Sequence, residues 1–203
     1  MESQNIINED ILRIAEGLKD EIKFMEQKTF LITGGAGFLG YYLVQFLNYL
    51  NSLNSNVKII IFDNFQRGYP EWLKKLKFSS DIDIVNQDMT NELPKDLPEV
   101  DYIIHAASIA SPIFYRKHPI ETIDANIIGL RSLLNYALER KNNDRPVSSL
   151  LFFSSSEIYG DPNYENIPTS EEYSGNVSCT GPRACYDESK RFGETLCINF
   201  SKL

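Results

Sequence analysis

Residues 30–47 read FLITGGAGFLGYYLVQFL, and this stretch decides the fold. An apolar run is followed by glycines in the spacing Gly-x-x-Gly-x-x-Gly and then by a second apolar run, which predicts a strand, a tight turn and a helix. Gly34 and Gly37 allow the backbone to turn sharply and approach a phosphate, and Gly40 allows the helix to pack on the strand. Because the start of such a helix offers free N–H groups to a pyrophosphate, the stretch predicts a dinucleotide site rather than only a tight βα turn.

Further apolar runs alternate with helical patterns along the rest of the chain. Strands are predicted at 28–33, 57–62, 82–85, 102–105 and 149–154, and helices at 38–50, 69–78, 119–140 and from residue 183 onward. Strands that alternate with helices form parallel sheets with right-handed crossovers. The fold class predicted is therefore α/β, a Rossmann-like doubly wound parallel sheet.

The first 26 residues precede this pattern. Ile7, Ile11, Ile14, Leu18 and Ile22 recur at helical spacing, and residues 8–10 supply a cap and an acidic first turn. We expect residues 1–26 to be an amphipathic helical extension for packing or dimer contact, and residues 27–203 to be the dinucleotide-binding domain.

Composition narrows the functional classes. The 203 residues suffice for one α/β domain, and the net charge of −8 argues against a general nucleic-acid or anionic-membrane surface. No apolar run reaches transmembrane length, and no leader opens the chain. Cys179, Cys185 and Cys197 lack metal-ligand spacing, so we interpret them as reduced thiols of a cytoplasmic protein without a metal. The terminal Ser-Lys-Leu matches a peroxisomal address but is interpreted as accidental.

Strand two ends in Asp63, 23 positions after Gly40. A carboxylate there accepts hydrogen bonds from a ribose 2′-hydroxyl and repels a 2′-phosphate, which favours NAD over NADP. Arg67 lies close to Asp63 in the sequence, so NADP remains an alternative cofactor. Strand four runs into Ala106, Ala107 and Ser108, small residues that let a flat ligand lie along the backbone.

Tyr186 and Lys190 are four residues apart on the last predicted helix and therefore share a face. An ammonium near a phenol favours the phenolate, so the pair is a candidate base for a substrate hydroxyl. Ser155, at the end of strand five, is placed to hold the reacting oxygen, and Glu157 to move a second proton. His105 is interpreted as a structural hydrogen-bonding residue.

Together these motifs resemble the extended short-chain dehydrogenase/reductases, the NAD-dependent epimerase/dehydratase family that acts on nucleotide sugars. The resemblance covers roughly residues 28–203 and rests on the glycine turn, Asp63-Asn64-Phe65 with Gly68, His105-Ala106-Ala107-Ser108, Asn126, Ser155 with Glu157, and Tyr186 with Lys190. Residues 181–190 and 156–162 look most like those of UDP-glucuronate decarboxylases.

The resemblance implies NAD as cofactor and adds contacts that the spacing alone does not give. The implied cofactor residues beyond the three glycines and Asp63 are Phe38, Leu39, Asn64, Gly68, Asp88, Met89, Ala106, Ala107, Ser108, Thr122, Tyr186 and Lys190. The implied substrate residues are Ser111, Tyr115, Asn126 and Arg183. It also implies a homodimer formed through the helices at 119–140 and 183–203.

The implied reaction oxidises sugar C4, so that a C6 carboxylate becomes a β-keto acid and leaves as carbon dioxide. A 4-epimerase needs only the ketone, and a 4,6-dehydratase needs an Asp-Glu pair where this chain has Ser156-Glu157. Glu121 stands where the decarboxylases that the motifs resemble have a lysine, which is expected to contact the anionic substrate. The glutamate weakens the assignment of a uronate substrate. The family also continues beyond the position of Leu203 into a substrate domain, so we expect a truncated chain, either enzymatic or a non-catalytic NAD-binding module.

Overall fold

A computed structural model describes residues 2–203 of the chain. Among these residues five strands form one parallel sheet, with the spatial order β3-β2-β1-β4-β5. The strands are β1 Thr29–Thr33, β2 Lys58–Asp63, β3 Ile82–Asn86, β4 Tyr102–His105 and β5 Ser149–Phe152. β1 pairs in parallel with both β2 and β4, and β2 pairs in parallel with β3. The predicted Rossmann-like parallel sheet is confirmed.

Six α-helices connect and flank the strands within the described residues. They are α1 Glu2–Gly17, α2 Phe38–Ser52, α3 Glu71–Leu76, α4 Pro112–Lys117, α5 Pro119–Asn142 and α6 Ala184–Phe200. Short 3₁₀ turns cover Ile22–Phe24, Ser156–Tyr159 and Tyr164–Asn166. No helix in residues 2–203 combines the length and the apolar content needed to span a membrane.

Three expectations about these elements need correction. The N-terminal helix ends at Gly17 rather than extending through residue 22, and Asn8 lies inside α1 instead of capping it. β5 ends at Phe152, two residues earlier than predicted, because the chain then turns toward the 3₁₀ segment. Helix α4 was not predicted, since six residues that begin with a proline are too few to display a helical period.

The chain divides into two compact units. The first comprises the chain up to Gln87, Asp96–Ala106 and Val147–Leu150. Its core lies on one face of the sheet, where β1 and β2 contribute Phe30, Ile32, Ile59 and Ile61 and the helices α1, α2 and α3 contribute Ile11, Val44, Phe46, Leu47, Leu50 and Leu73. The apolar residues of β2 that the sequence shows as one run are all nearly fully buried, as expected for a strand inside a parallel sheet.

The second unit comprises Asp88–Lys95, Ala107–Pro146 and Leu151–Leu203. Helices α5 and α6 pack against each other there, and the first 3₁₀ turn after β5 packs against α6. Gly193 lets α6 approach closely, because a Cβ at that position would lie 2.5 Å from the ring of Phe152 and 3.4 Å from Leu130. This unit carries the helix on which the predicted catalytic pair lies.

Candidate functional site

The glycine turn in the first unit is too tight for side chains. Gly34 has φ of 70°, in the left-handed region that favours glycine. A Cβ on Gly35 would lie 2.7 Å from Cγ2 of Ile61, and a Cβ on Gly40 would lie 2.6 Å from the carbonyl oxygens of Gly34 and Gly35. The sequence therefore specifies glycine here because β1, β2 and α2 meet with no room for a methyl group.

Helix α2 begins directly after this turn. Gly37 is its N-cap, adopts an extended conformation and supplies no side-chain cap, so the first N–H groups of the helix are left for another acceptor. Phe38 and Leu39 are 79% and 50% exposed, so the surface around these donors is open. Free donors beside closely packed glycines fit the pyrophosphate of a dinucleotide.

Asp63 has a structural role that the sequence did not reveal. Its Oδ2 accepts a hydrogen bond from the backbone N–H of Ala36 at 3.0 Å, and its Oδ1 accepts one from Phe65 N–H at 2.9 Å. The carboxylate thus links the glycine turn to the end of β2. Each carboxylate oxygen retains a second lone pair, so a ribose hydroxyl can still donate to it.

Other predicted cofactor residues of the first unit follow the ends of strands. Asn64 accepts a hydrogen bond from Gln66 N–H at 3.1 Å, and Gly68 has φ of 91°. Ala106 is half-buried directly after β4. The preceding residue, His105, is 1% exposed and its Nδ1 lies 2.7 Å from the hydroxyl of Thr33. The structural interpretation of His105 is confirmed.

The second unit holds the remaining predicted cofactor residues. Asp88 Oδ1 accepts hydrogen bonds from the N–H and the hydroxyl of Thr90, at 2.9 and 2.8 Å. Met89 is buried, Thr122 is fully buried with its hydroxyl donating to His118 O at 2.7 Å, and Ala107 and Ser108 are half-buried. In the described part of the chain, the Ser108 hydroxyl is a buried polar group with no hydrogen-bond partner. An unsatisfied buried hydroxyl is costly, which fits a group that meets a ligand.

The Tyr186–Lys190 pair lies in the first turns of α6, and both side chains are buried, 7% and 2% exposed. Lys190 Nζ donates a hydrogen bond to Phe153 O at 2.7 Å and lies 4.6 Å from the ring centroid of Phe152 and 5.8 Å from that of Tyr186. Burial lowers the pKa of Lys190 to about 8. The pair therefore places a cation that exchanges protons near neutral pH beside a phenol.

Asn126 supports this helix from α5. Its Nδ2 donates to the Ser189 hydroxyl at 2.8 Å, and that hydroxyl donates to Tyr186 O at 2.9 Å. Asn126 is fully buried, and its Oδ1 has no hydrogen-bond partner within residues 2–203. This side chain has no exposed surface, so its assignment to the substrate stays a prediction, while its contact with α6 is direct.

Arg183 and Glu157 form an ion pair at the start of α6. Ser155 is the N-cap of the 3₁₀ turn that carries Glu157, and its hydroxyl accepts a hydrogen bond from Glu157 N–H at 3.3 Å. Arg183 Nε also lies 3.4 Å from Oδ2 of Asp187. Burial raises the pKa of Asp187, and the neighbouring Arg183 lowers it only in part.

The second unit thus brings together Glu157, Arg183, Tyr186 and Lys190, with Ser155 at the start of the same turn as Glu157. Of the predicted substrate residues, Ser111 is half-buried as the N-cap of α4, whereas Tyr115 is 2% exposed.

The sequence analysis did not identify Asp187 and Ser189, which lie between Tyr186 and Lys190 and are buried. Helical spacing alone does not predict their burial, because it depends on the position of α5. Among the described residues no cluster of three or more metal-ligating side chains occurs.

The chain is similar in sequence to proteins of one known family. A sequence model of the NAD dependent epimerase/dehydratase family matches residues 30–203. UDP-glucuronic acid decarboxylase 6 of Arabidopsis thaliana is 38% identical over 185 residues, which is 91% of this chain and 50% of that protein. UDP-glucuronic acid decarboxylase 1 of Xenopus tropicalis is 39% identical over 184 residues, 89% of this chain and 40% of that protein.

The fold of the chain is also similar to that of solved structures. A UDP-galactose 4-epimerase superposes with a TM-score of 0.65 at 26% identity, over 86% of this chain and 52% of that one. A UDP-N-acetylglucosamine 4-epimerase from Methanobrevibacter ruminantium M1 gives 0.64 at 27% identity, over 88% and 52%. The chain spans half or less of the length of these two decarboxylases. With its glycine turn, Asp63 and Tyr186–Lys190 pair, the chain belongs to the NAD-dependent epimerase/dehydratase family.

Proposed function

We propose that this chain is the NAD-binding and proton-transferring part of a nucleotide-sugar enzyme that works through a 4-keto sugar, most like UDP-glucuronate decarboxylation. The observation that carries the proposal is the buried Tyr186–Lys190 pair, in which the Lys190 amino group lies 5.8 Å from the centroid of the phenol ring. Its lowered pKa, about 8, suits a group that shares a proton with a phenol near neutral pH.

In the first step Tyr186 removes the proton of the sugar C4 hydroxyl. Lys190 stabilises the phenolate by its charge, and Phe153 O fixes the position of the amino group. Ser155 donates a hydrogen bond to the reacting oxygen. The glycine turn and Asp63 would hold the cofactor, which would supply the hydride chemistry of the reaction.

The C4 ketone then controls the chemistry at C5 and C6. A C6 carboxylate β to this ketone leaves as carbon dioxide when the C5–C6 bond breaks, and the electron pair forms an enolate. Protonation of C5 and reduction of the C4 ketone, for which NAD would supply the hydride, yield UDP-xylose, with Tyr186 giving back its proton. Loss of carbon dioxide from a carboxylate releases no proton, so the proton that C5 gains comes from solvent, and we assign its relay to Glu157.

Glu157 and Arg183 bear on which nucleotide-sugar reaction follows the ketone. A dehydratase uses an Asp-Glu pair to eliminate water, and here Ser156 precedes Glu157. Arg183, ion-paired with Glu157, supplies a guanidinium for an anionic group of the substrate. Decarboxylation is further supported by relatives at 38–39% identity that are named UDP-glucuronic acid decarboxylases.

A 4-epimerase is the second candidate, and Glu121 favours it. Glu121 is exposed and its Oε1 lies 3.6 Å from Nδ1 of His118, so it places a carboxylate where a uronate-binding lysine is expected. A third candidate is a non-catalytic NAD-binding module. The glycine turn and the Asp63 carboxylate support cofactor binding without requiring a substrate.

The test is to incubate the purified chain with NAD⁺ and, in separate reactions, UDP-glucuronate, UDP-glucose and UDP-galactose, and to identify products by mass spectrometry. UDP-xylose and carbon dioxide from UDP-glucuronate support decarboxylation, and interconversion of UDP-glucose and UDP-galactose supports epimerisation. Tyr186→Phe is expected to abolish either reaction. Tyr164→Phe, at a 90% exposed tyrosine, is the matched control and is expected to change nothing. Full turnover by Tyr186→Phe contradicts the assigned base, and NAD⁺ binding without turnover supports the non-catalytic module.

A further inference from the structure

Tyr115 on α4 packs directly on the proposed base. Its ring stacks on that of Tyr186, with centroids 5.2 Å apart and an interplanar angle of 11°. Both side chains are nearly inaccessible, 2% exposed for Tyr115 and 7% for Tyr186. Stacked aromatic pairs at this separation are favourable beyond the burial of their area, so the contact restrains the plane of the Tyr186 ring.

The backbone of Tyr115 makes a second contact with the same turn of α6. Cys185 Sγ donates a hydrogen bond to Tyr115 O at 3.5 Å. Cys185 and Tyr186 are consecutive residues in the first turn of α6. A single residue of α4 therefore touches the catalytic turn at two adjacent positions, once through its ring and once through its carbonyl oxygen.

We infer that Tyr115 is a positioning residue that orients the Tyr186 phenol through the ring stack, rather than a residue that binds the sugar. The inference rests on the proposed function, in which Tyr186 removes a proton. Tyr115 is 2% exposed against 7% for Tyr186, so of the two rings it offers less surface to a substrate, and its ring stacks on that of Tyr186.

Orientation matters because proton transfer requires the phenol oxygen to lie within hydrogen-bond reach of the sugar hydroxyl. Lys190 acts on the same ring from its amino group, 5.8 Å from the centroid. A ring free to swing about the Cα–Cβ bond would move its oxygen relative to both groups, and a second ring packed on its face opposes that swing. A displacement of about 1 Å in such a site costs on the order of a hundredfold in rate.

The first arm of the test needs no turnover. Tyrosine rings are labelled with ¹³C, and the Tyr186 signals are identified by their loss in Tyr186→Phe. The wild-type chain is expected to give a cross-relaxation peak between the rings of Tyr115 and Tyr186 and an upfield shift of the Tyr186 ring protons. Tyr115→Leu is expected to abolish that upfield shift, and Tyr115→Phe to preserve it. Phe114→Leu, at the neighbouring and 46% exposed residue of α4, is the matched control and leaves the Tyr186 signals in place.

Absence of the cross-relaxation peak in the wild-type chain overturns the inference, and so do Tyr186 signals that Tyr115→Leu leaves unchanged. Because the wild-type peak and Tyr115→Phe do not depend on the leucine variant being folded, the outcome is decisive even when that variant unfolds.

The second arm uses the turnover assay. Tyr115→Leu is expected to lower kcat about tenfold to a hundredfold with KM for the nucleotide sugar unchanged, and Tyr115→Phe to restore kcat, since only the ring is needed. A raised KM in Tyr115→Phe means that the hydroxyl binds substrate and overturns the inference. Full activity of Tyr186→Phe instead refutes the proposed function, while the ring signals still report whether Tyr115 orients Tyr186.

Discussion

At the scale of single residues, the burial of Lys190 links the proposed chemistry to the stability of the folded chain. Its side chain is 2% exposed and its pKa is lowered to about 8 by burial. Since a free lysine has a pKa near 10.5, the unfolded chain binds more protons than the folded chain between pH 8 and 10.5, and stability rises with pH across that window. Below pH 8 the full penalty for burying the ammonium is present.

We therefore expect the free energy of unfolding of the wild-type chain, relative to Lys190→Met, to increase by up to about 1.4 kcal/mol per pH unit between pH 8 and 10.5. The comparison cancels the titration of all other groups. Urea denaturation at pH 7.5, 8.5 and 9.5 measures it, and Lys202→Met, at an exposed lysine, is expected to run parallel to wild type. If the free energy of unfolding of Lys190→Met varied with pH in parallel with that of the wild-type chain, the lowered pKa of Lys190 would be contradicted.

At the scale of elements, helix α1 is joined to the core of the first unit although the family match begins only at residue 30. Ile11 is 6% exposed within the core cluster, and Ile7, Ile14 and Leu18 pack against it. Tyr42 of α2 donates a hydrogen bond to Asp10 at 3.4 Å. The N-terminal extension is thus a packed layer over α2, the helix that starts at the glycine turn.

Ile11→Ala is expected to destabilise the chain by about 2–4 kcal/mol, because it removes buried methyl groups and leaves a cavity. Leu12→Ala, at the next residue and 53% exposed, should stay within about 0.5 kcal/mol of wild type. Urea denaturation followed by far-UV circular dichroism measures both. Equal effects of the two substitutions would show that α1 does not contribute to the core.

These elements also indicate which parts of the structure a sequence can predict. The run Val57–Phe62 predicted a buried parallel strand to within a residue, because a strand covered on both faces is apolar at nearly every position, and here only Lys58 is not. Helix α4 escaped because its six residues show no period. The roles of Asp63 in holding the turn, of Asn126 on Ser189 and of Tyr115 on Tyr186 depend on residues distant in sequence that only the folded chain places side by side.

At the scale of the whole molecule, cofactor binding should be visible as stability, since a ligand that binds only the folded chain stabilises it by mass action. At NAD⁺ concentrations a hundredfold above Kd the gain is about 2.7 kcal/mol, equivalent to about 5–10 °C in Tm for a chain of this size. NADP⁺ at the same concentration should give a smaller shift, because Asp63 repels its 2′-phosphate. Differential scanning fluorimetry measures both shifts.

The controls separate recognition from folding. Asp63→Asn should lower Tm even without ligand, because an amide nitrogen cannot accept the N–H of Ala36 or Phe65, and it should also reduce the additional shift caused by NAD⁺. Asp83→Asn, at an exposed carboxylate on the neighbouring strand β3, should keep the full NAD⁺ shift. A shift with NADP⁺ equal to or larger than that with NAD⁺ would transfer the choice of cofactor from Asp63 to Arg67. No shift with either nucleotide would refute NAD binding by the chain, and with it the enzymatic and non-catalytic proposals alike, since both require the glycine turn to hold the cofactor.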